Sequence, residues 1–366
     1  MNIILSGGGT GGHIYPAVAV AEALQRRLGA DVRLLFVGAR GKMEMEKIPA
    51  LGYEIEGLPV VGLQRRLTFR NIVNDLTVPF RAVRSLRLAR RVIRDFGADV
   101  VVGFGGYASA PVLRAAQSMG IPTVIQEQNS YAGLTNKVLG RRARAVCVAY
   151  DGMERFFPAD RIAMTGNPLR GDFARQPSRE EALKHFGLTP DRPVLLVVGG
   201  SLGCRTFNEM VKRAISEDAL GDVQVIWQTG KFYEAEMRSF MAGRQANGIW
   251  LGAFIDRMDL AYAAADLVIS RSGAGTVSEL CLLGKATMFI PSPGVAEDHQ
   301  TKNAMALVDK GAAEICPDER ALTEAIPTAL RLLGDRARLD SLAAAIGRLG
   351  IADSADRVAE IILKQR

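Results

Sequence analysis

The sequence is poor in the residues that build metal and disulfide sites, with three histidines and four cysteines in 366 residues. The cysteines, Cys147, Cys204, Cys281 and Cys316, form no close pair. That argues against a disulfide framework or a zinc cluster, and for small thiols in a reducing compartment. No Asp-x-Asp occurs, so a carboxylate-clamped cation has no support and no cofactor is expected. Aromatic residues are only 6%. The interleaving of aromatic and basic residues that holds single-stranded nucleic acid is therefore thin, and no nucleic-acid partner is expected despite a net charge of +7. No run approaches the roughly 18 apolar residues of a membrane span. The start, Met1-Asn2-Ile3-Ile4-Leu5, lacks the basic and then apolar stretches of a signal peptide. The expected setting is the cytoplasm, with a membrane within reach but not crossed.

Hydrophobic residues make up 48% of the chain, and its 38 glycines gather in short runs. The length suits two domains. Short apolar strands without polar alternation recur, each followed by a glycine turn and a helical pattern. They lie at 3–5, 32–37, 99–102, 122–125 and 145–148, and again at 193–198, 223–227, 249–251, 267–270 and 287–290. Such strands indicate parallel sheets buried on both faces. The fold class is α/β, with two doubly wound, Rossmann-like domains whose strand ends are expected to face each other across a cleft. The linker is placed near 165, in a stretch rich in Pro, Arg and Asp. Helical patterns close the chain at 322–333, 339–349 and 355–364.

Three glycine loops follow parallel strands. In the first, Gly7, Gly9 and Gly12 satisfy G-x-G-x-x-G, the dinucleotide fingerprint. The acid expected at the end of the second strand is missing, for that strand ends Val37-Gly38-Ala39-Arg40. Arg40 suits a 2′-phosphate, which keeps an NADP-dependent oxidoreductase as an alternative. The better reading is a helix N-terminus facing an anion or a reacting sugar. His13 sits there, and a neutral imidazole could take a proton from a hydroxyl; the bland alternative is a helix cap. Gly105 and Gly106 with Tyr107 form a second helix-start loop. Gly199-Gly200-Ser201 forms the third, where Ser201 could donate to a phosphate oxygen. The sharpest segment is the turn Ser270-Arg271-Ser272-Gly273 leading into Ala274, Gly275, Thr276, Val277, Ser278 and Glu279. A carboxylate one turn into that helix can accept from both hydroxyls of a ribose; otherwise it merely complements the helix dipole.

On these motifs the chain resembles the MurG family, the inverting transferases that move N-acetylglucosamine from UDP onto lipid I in peptidoglycan synthesis. The resemblance spans nearly the whole chain. It also rests on Glu127-Gln128-Asn129, Ala132-Gly133-Leu134-Thr135-Asn136-Lys137, Thr165-Gly166-Asn167-Pro168, and Gln300 with Asn303. It implies a GT-B glycosyltransferase fold with an acceptor and membrane-side domain at 1–165 and a UDP-sugar domain at 166–349. A C-terminal helix at about 350–366 would pack back onto the first. It implies a donor site of Thr10, Gly11, Gly12, Asn129, Arg170, Ser201, Ile255, Ala274, Gly275, Thr276, Val277, Ser278, Glu279 and Gln300. In it Ile255 would meet uracil through its backbone, Glu279 the ribose, Ser201 a phosphate and Gln300 the transferred sugar. Gly105, Gly106 and Tyr107 would face the acceptor diphosphate. Three positions depart from the family pattern: Leu202 where a polar residue is expected, Gly275 where a bulkier one is common, and His299 where a Gln can stand.

The expected chemistry is one in-line displacement at the anomeric carbon by the muramyl 4-hydroxyl, with His13 or Glu127 as base. The partners implied are UDP-N-acetylglucosamine, lipid I and an anionic membrane surface, met from the cytoplasmic side. For the last, nine arginines at 65–94 face a single acid, Asp75. Arg81 and Arg84 on a helix, beside Ile72, Val73, Leu76 and Phe80, would form a lipid-facing patch, and Arg141, Arg142 and Arg144 would extend it. A solvated helix face is the plain alternative. Val83, Leu86 and Ile93 are expected to share that helix's apolar face. A diacylglycerol glycosyltransferase and a non-catalytic nucleotide-binding protein are the other readings.

Overall fold

The computed structural model describes residues 1–60, 78–169, 176–200, 202–244 and 247–365, with only the backbone described at 78–81 and 296. The chain divides into two compact units. One is Met1–Arg170 with Asp353–Arg366, the other Gly171–Ala352.

In the first unit β1 (Asn2–Ser6) runs into α1 (Gly11–Leu28), then β2 (Arg33–Ala39), α2 (Glu44–Ala50) and β3 (Ile55–Leu58). After α3 (Val78–Phe96) come β4 (Val100–Gly103), α4 (Gly106–Ser118), β5 (Thr123–Glu127), α5 (Leu134–Gly140), β6 (Ala145–Val148) and β7 (Ile162–Met164). In the second unit α6 (Arg179–Phe186) precedes β8 (Val194–Val198), α7 (Arg205–Ser216), β9 (Gln224–Gln228), α8 (Glu234–Met241) and β10 (Ile249–Gly252). There follow α9 (Met258–Ala264), β11 (Leu267–Ser270), α10 (Ala274–Leu283), β12 (Thr287–Phe289), α11 (His299–Val308), β13 (Glu314–Ile315), α12 (Ala321–Gly334) and α13 (Arg336–Gly347). The closing helix α14 (Ser354–Leu363) belongs to the first unit.

Both sheets are parallel. Their orders are β3-β2-β1-β4-β5-β6-β7 and β10-β9-β8-β11-β12-β13. Helices cover both faces, which is why the central strands carry no polar alternation: Ile3, Ile4 and Leu5 are fully buried, as are Val194, Leu195 and Leu196. The strand order reverses between β1 and β4 and again between β8 and β11. At such points the loops at the carboxyl ends of the strands diverge and leave room for a ligand. The first glycine loop follows β1 and the loop at 199–203 follows β8, so each unit has a glycine loop at its reversal point.

The C-terminal helix is held to the first unit by side chains of both kinds. Val358, Ala359 and Ile362 are fully buried in one core with Leu5, Val20 and Leu24. Arg26 and Arg27 reach Asp356 at 3.3 and 3.2 Å, and Ser354 Oγ donates to the Asn167 carbonyl at 2.7 Å. Asn167 also accepts from Gln126 Nε2 at 2.9 Å and donates to the Gln128 carbonyl at 3.0 Å. Those bonds keep the stretch after β7 with the first unit, so the division falls at 170/171 and not at the 165/166 read from sequence. Ile362→Ala is expected to cost roughly 2–5 kcal/mol, the usual range for a buried Ile truncation. A lowered urea midpoint in circular dichroism checks it.

Candidate active site

The loop between β1 and α1 is shaped by close backbone approach. A Cβ on Gly7 would lie 3.0 Å from the Phe104 Cβ, at the loop after β4. Thr10 caps α1 with an extended backbone, and its carbonyl accepts from the His13 and Ile14 N–H groups. Gly11 and Gly12 head the helix, where N–H groups have no carbonyl four residues back. One turn in, His13 folds its ring back over the loop. Its Nδ1 lies 3.0 Å from the Gly8 carbonyl and 3.2 Å from Thr10 Oγ1. A carbonyl oxygen only accepts, so Nδ1 carries the hydrogen of that bond, and in the neutral ring Nε2 is then the acceptor nitrogen.

The second glycine loop meets the same ring. A Cβ on Gly105 would stand 3.0 Å from His13 Cδ2 and 3.1 Å from Nε2; one on Gly106 would stand 2.4 Å from the Gly8 carbonyl oxygen. Both glycines have positive φ, 92° and 76°. A side chain at Gly105 would press on the imidazole, and one at Gly106 would collide with the Gly8 carbonyl that the imidazole bonds. The two motifs, some ninety residues apart in sequence, thus form one site around His13. Tyr107 follows on the first turn of α4, with 59% of its surface exposed.

Glu127 ends β5 and is buried. Its Oε1 accepts from the Asn129 backbone N–H at 3.0 Å and from Asn129 Nδ2 at 3.3 Å. Its Oε2 accepts from the Gly133 N–H at 3.1 Å and Asn136 Nδ2 at 2.8 Å. Burial pushes its carboxyl up from the ordinary range, against the downward pull of these donors. Four N–H groups on two oxygens make Glu127 the organiser of the loop at 128–136. Of the two candidate bases, His13 has the better geometry.

In the second unit α10 starts directly after β11, capped by Gly273 in extended conformation. Ala274, Gly275, Thr276, Ser278 and Glu279 are partly exposed, whereas Val277 faces the core. Any ligand contact at 277 must therefore come from its backbone. Tyr262 Oη donates to Glu279 Oε2 at 3.1 Å, which fixes the rotamer of that carboxylate. Ser272 Oγ donates to the Gln300 carbonyl at 2.8 Å, and the Ser292 N–H donates to Gln300 Oε1 at 2.8 Å. What Gln300 can present to a sugar is therefore its NH2 group. Glu297 and Asp298, just before α11, both adopt left-handed φ, 56° and 51°. This is an uncommon conformation for non-glycine residues and marks a constrained loop.

The loop after β8 packs tightly on the turn after β9. A Cβ on Gly203 would come within 2.2 Å of the Thr229 carbonyl oxygen, and φ at Gly203 is 85°. Gln228, at the end of β9, donates from Nε2 to the Gly200 carbonyl at 3.0 Å and accepts the Ile255 N–H on Oε1 at 3.1 Å. The Ile255 N–H is thus occupied by Gln228, and its carbonyl is the backbone group left for a ligand. The motif residue Arg271 donates to the Ile290 and Pro291 carbonyls at 2.9 and 2.8 Å and pairs with Asp318 at 2.7 Å. It ties this turn to the following loop.

Ser201 and Arg170 lie outside the described residues, as do Ile72, Val73 and Leu76. Phe80 and Arg81 fall on α3, where only the backbone is described. Arg84, Arg87, Arg90, Arg91 and Arg94 are exposed on that helix. Its buried face is Ser85, Ala89 and Ile93. Val83, assigned from sequence to the apolar face with Leu86 and Ile93, is instead 48% exposed. At 100° per residue it lies about 160° around the helix from Ser85 and about 120° from Ala89. Among the described residues no helix is long and apolar enough to cross a membrane.

Two parallel-sheet units, each with a glycine-led helix start at its strand-order reversal, are the layout of the GT-B fold, and the family matches make the chain a glycosyltransferase of that class. Residues 3–148 match the glycosyltransferase family 28 N-terminal domain and residues 194–358 its C-terminal domain. The chain belongs to that family and, within it, to the MurG family. It is 52% identical over 363 residues to the UDP-N-acetylglucosamine–N-acetylmuramyl-(pentapeptide) pyrophosphoryl-undecaprenol N-acetylglucosamine transferase of Parabacteroides distasonis, covering 99% of this chain and 97% of that protein. It is 50% identical over 366 residues to the enzyme of the same name from Porphyromonas gingivalis, covering 100% and 95%. The crystal structure of Acinetobacter baumannii MurG superposes with a TM-score of 0.80 at 30% identity, covering 99% of each chain.

Proposed function

We propose that this chain transfers N-acetylglucosamine from UDP-N-acetylglucosamine to the 4-hydroxyl of the muramyl sugar on a pyrophosphoryl-undecaprenol carrier, inverting the anomeric carbon. The names of the relatives support the substrates. The observation that carries the chemistry is the bond from His13 Nδ1 to the Gly8 carbonyl, which leaves Nε2 as the ring's proton acceptor.

In this reading Nε2 takes the proton of the acceptor hydroxyl as its oxygen attacks the anomeric carbon. The bond from that carbon to the diphosphate oxygen breaks, and its electron pair leaves with UDP. Charge grows on the leaving diphosphate, so N–H groups aimed there contribute most. The start of α10 and the glycine loop after β8 would supply them; Ser201, of that loop's motif, is proposed for a phosphate oxygen. Glu279 would accept from the ribose hydroxyls and Gln300 would donate to the sugar. With the Ile255 N–H held by Gln228, the Ile255 carbonyl is the group proposed for uracil. Gly105 and Gly106 with Tyr107 would face the acceptor diphosphate from the first unit.

The proposed setting is the cytoplasmic face of the membrane, with the arginines of α3 against anionic lipid, because an undecaprenyl carrier must be met at a bilayer. The test offers radiolabelled UDP-N-acetylglucosamine with lipid I and, separately, with diacylglycerol, each with and without EDTA. Label in lipid I alone, unchanged by EDTA, is expected. Label in diacylglycerol alone would overturn the assignment.

A further inference from the structure

We infer that Glu44 is a positioning residue for His13, acting through the single peptide group that joins Gly8 to Gly9. The inference rests on His13 being the base. Glu44, the first residue of α2, is 1% exposed. Its Oε2 accepts the Gly9 N–H at 2.9 Å and its Oε1 the Ala39 N–H at 3.0 Å. The Gly9 N–H and the Gly8 carbonyl belong to the same peptide plane. In a trans peptide these two groups point in opposite directions. Glu44 therefore grips one edge of the plane while His13 Nδ1 bonds the other, at 3.0 Å.

Two glycines are explained by the carboxylate and not by a ligand. A Cβ on Gly8 would lie 2.1 Å from Glu44 Oε1, and one on Gly38 would lie 2.6 Å from Glu44 Cγ. Gly9 is different: nothing lies near its Cβ position, but its φ of 85° turns the plane so that both edges are used. The carboxylate also corrects the reading of the strand end. An acid does reach the end of β2, supplied by α2, but both its oxygens are spent on backbone N–H groups. The Gly9 N–H, which a dinucleotide loop would offer to phosphate, is thus spent within the protein.

A charge-assisted hydrogen bond to one end of a peptide polarises it, and chains of hydrogen bonds strengthen one another. Glu44 thus makes the Gly8 carbonyl a stronger acceptor, holding the Nδ1–H tautomer and the ring orientation. The relay is carboxylate, peptide, imidazole. It does the work of a directly bonded carboxylate with one peptide interposed.

The experiment compares wild type, Glu44→Gln, His13→Asn and the double variant in steady-state kinetics with lipid I, alongside spectra of 15N-histidine-labelled protein. Glutamine keeps the shape but can accept only through one atom. Glu44→Gln is expected to lower kcat roughly 10–100-fold, as loss of a histidine's outer partner does, with KM for UDP-N-acetylglucosamine unchanged. The His13 Nδ1–H proton signal is expected to move upfield as its bond weakens. In the His13→Asn background, Glu44→Gln is expected to change kcat little. An equal fall in both backgrounds, or an unmoved Nδ1–H signal, overturns the role of Glu44 and leaves His13 standing. Full turnover by His13→Asn overturns the base assignment itself. Should Glu44→Gln fail to fold, the wild-type spectrum decides: Nδ1 protonated and Nε2 not is expected, and the opposite tautomer overturns the relay.

Discussion

His13→Asn is expected to lower kcat by roughly 10²–10⁴-fold, the usual worth of a positioned general base, while KM for UDP-N-acetylglucosamine stays unchanged. Asparagine is the informative replacement. Its amide NH2 can still donate to the Gly8 carbonyl, which now accepts from His13 Nδ1 at 3.0 Å, so the loop keeps its bond. Only the Nε2 atom is lost. The pH profile of kcat/KM should lose its fall on the acid side, because the group that must be unprotonated is gone. A rise in donor KM with kcat intact would assign the ring to binding. Stopped assays over a pH series make the measurement.

Glu279→Gln is expected to act on the other parameter. A carboxylate accepting from two ribose hydroxyls makes charge-assisted bonds worth roughly 1.5–3 kcal/mol each, and glutamine can replace them only in part. The donor KM should rise roughly 10–100-fold, with a small change in kcat. A donor lacking the ribose 2′-hydroxyl should lose affinity for the wild type and lose far less for the variant. Tyr262→Phe should give a milder form of the same defect, about fivefold or roughly 1 kcal/mol, since Tyr262 Oη orients the Glu279 carboxylate at 3.1 Å and makes no bond to the donor itself in this reading. Isothermal titration with UDP separates these binding effects from turnover. Equal affinities of wild type and Glu279→Gln for UDP would remove Glu279 from the ribose.

The central strands of both sheets were legible because burial on both faces writes itself as unbroken Val, Ile and Leu. The edge strands were not. β3 reads Ile-Glu-Gly-Leu and β13 is only Glu-Ile, and β7, Ile162–Met164, has no fully buried residue. Edge strands pack less, so their composition says less. At the site, Gly7, His13 and Gly105 could each be picked out, for glycine at a strand end has few other uses. Their convergence on one imidazole could not, because it depends on strand order β1 beside β4. Glu44 leaves no such signal, because the fold brings it to the end of β2 from α2 and not along the strand itself. Gln228 and Tyr262 carry no local signal at all. They matter only through partners, Ile255 and Glu279, that lie 27 and 17 residues away.

The most direct measurement of the proposed reaction is the linkage in the product. Purified protein, UDP-N-acetylglucosamine and lipid I are incubated, and the lipid-linked disaccharide is isolated for NMR of its anomeric proton. A single N-acetylglucosamine joined in the β configuration to the muramyl 4-oxygen is predicted, because one displacement on an α-linked donor inverts that carbon. An α linkage, attachment at another hydroxyl, or no disaccharide at all would contradict the account.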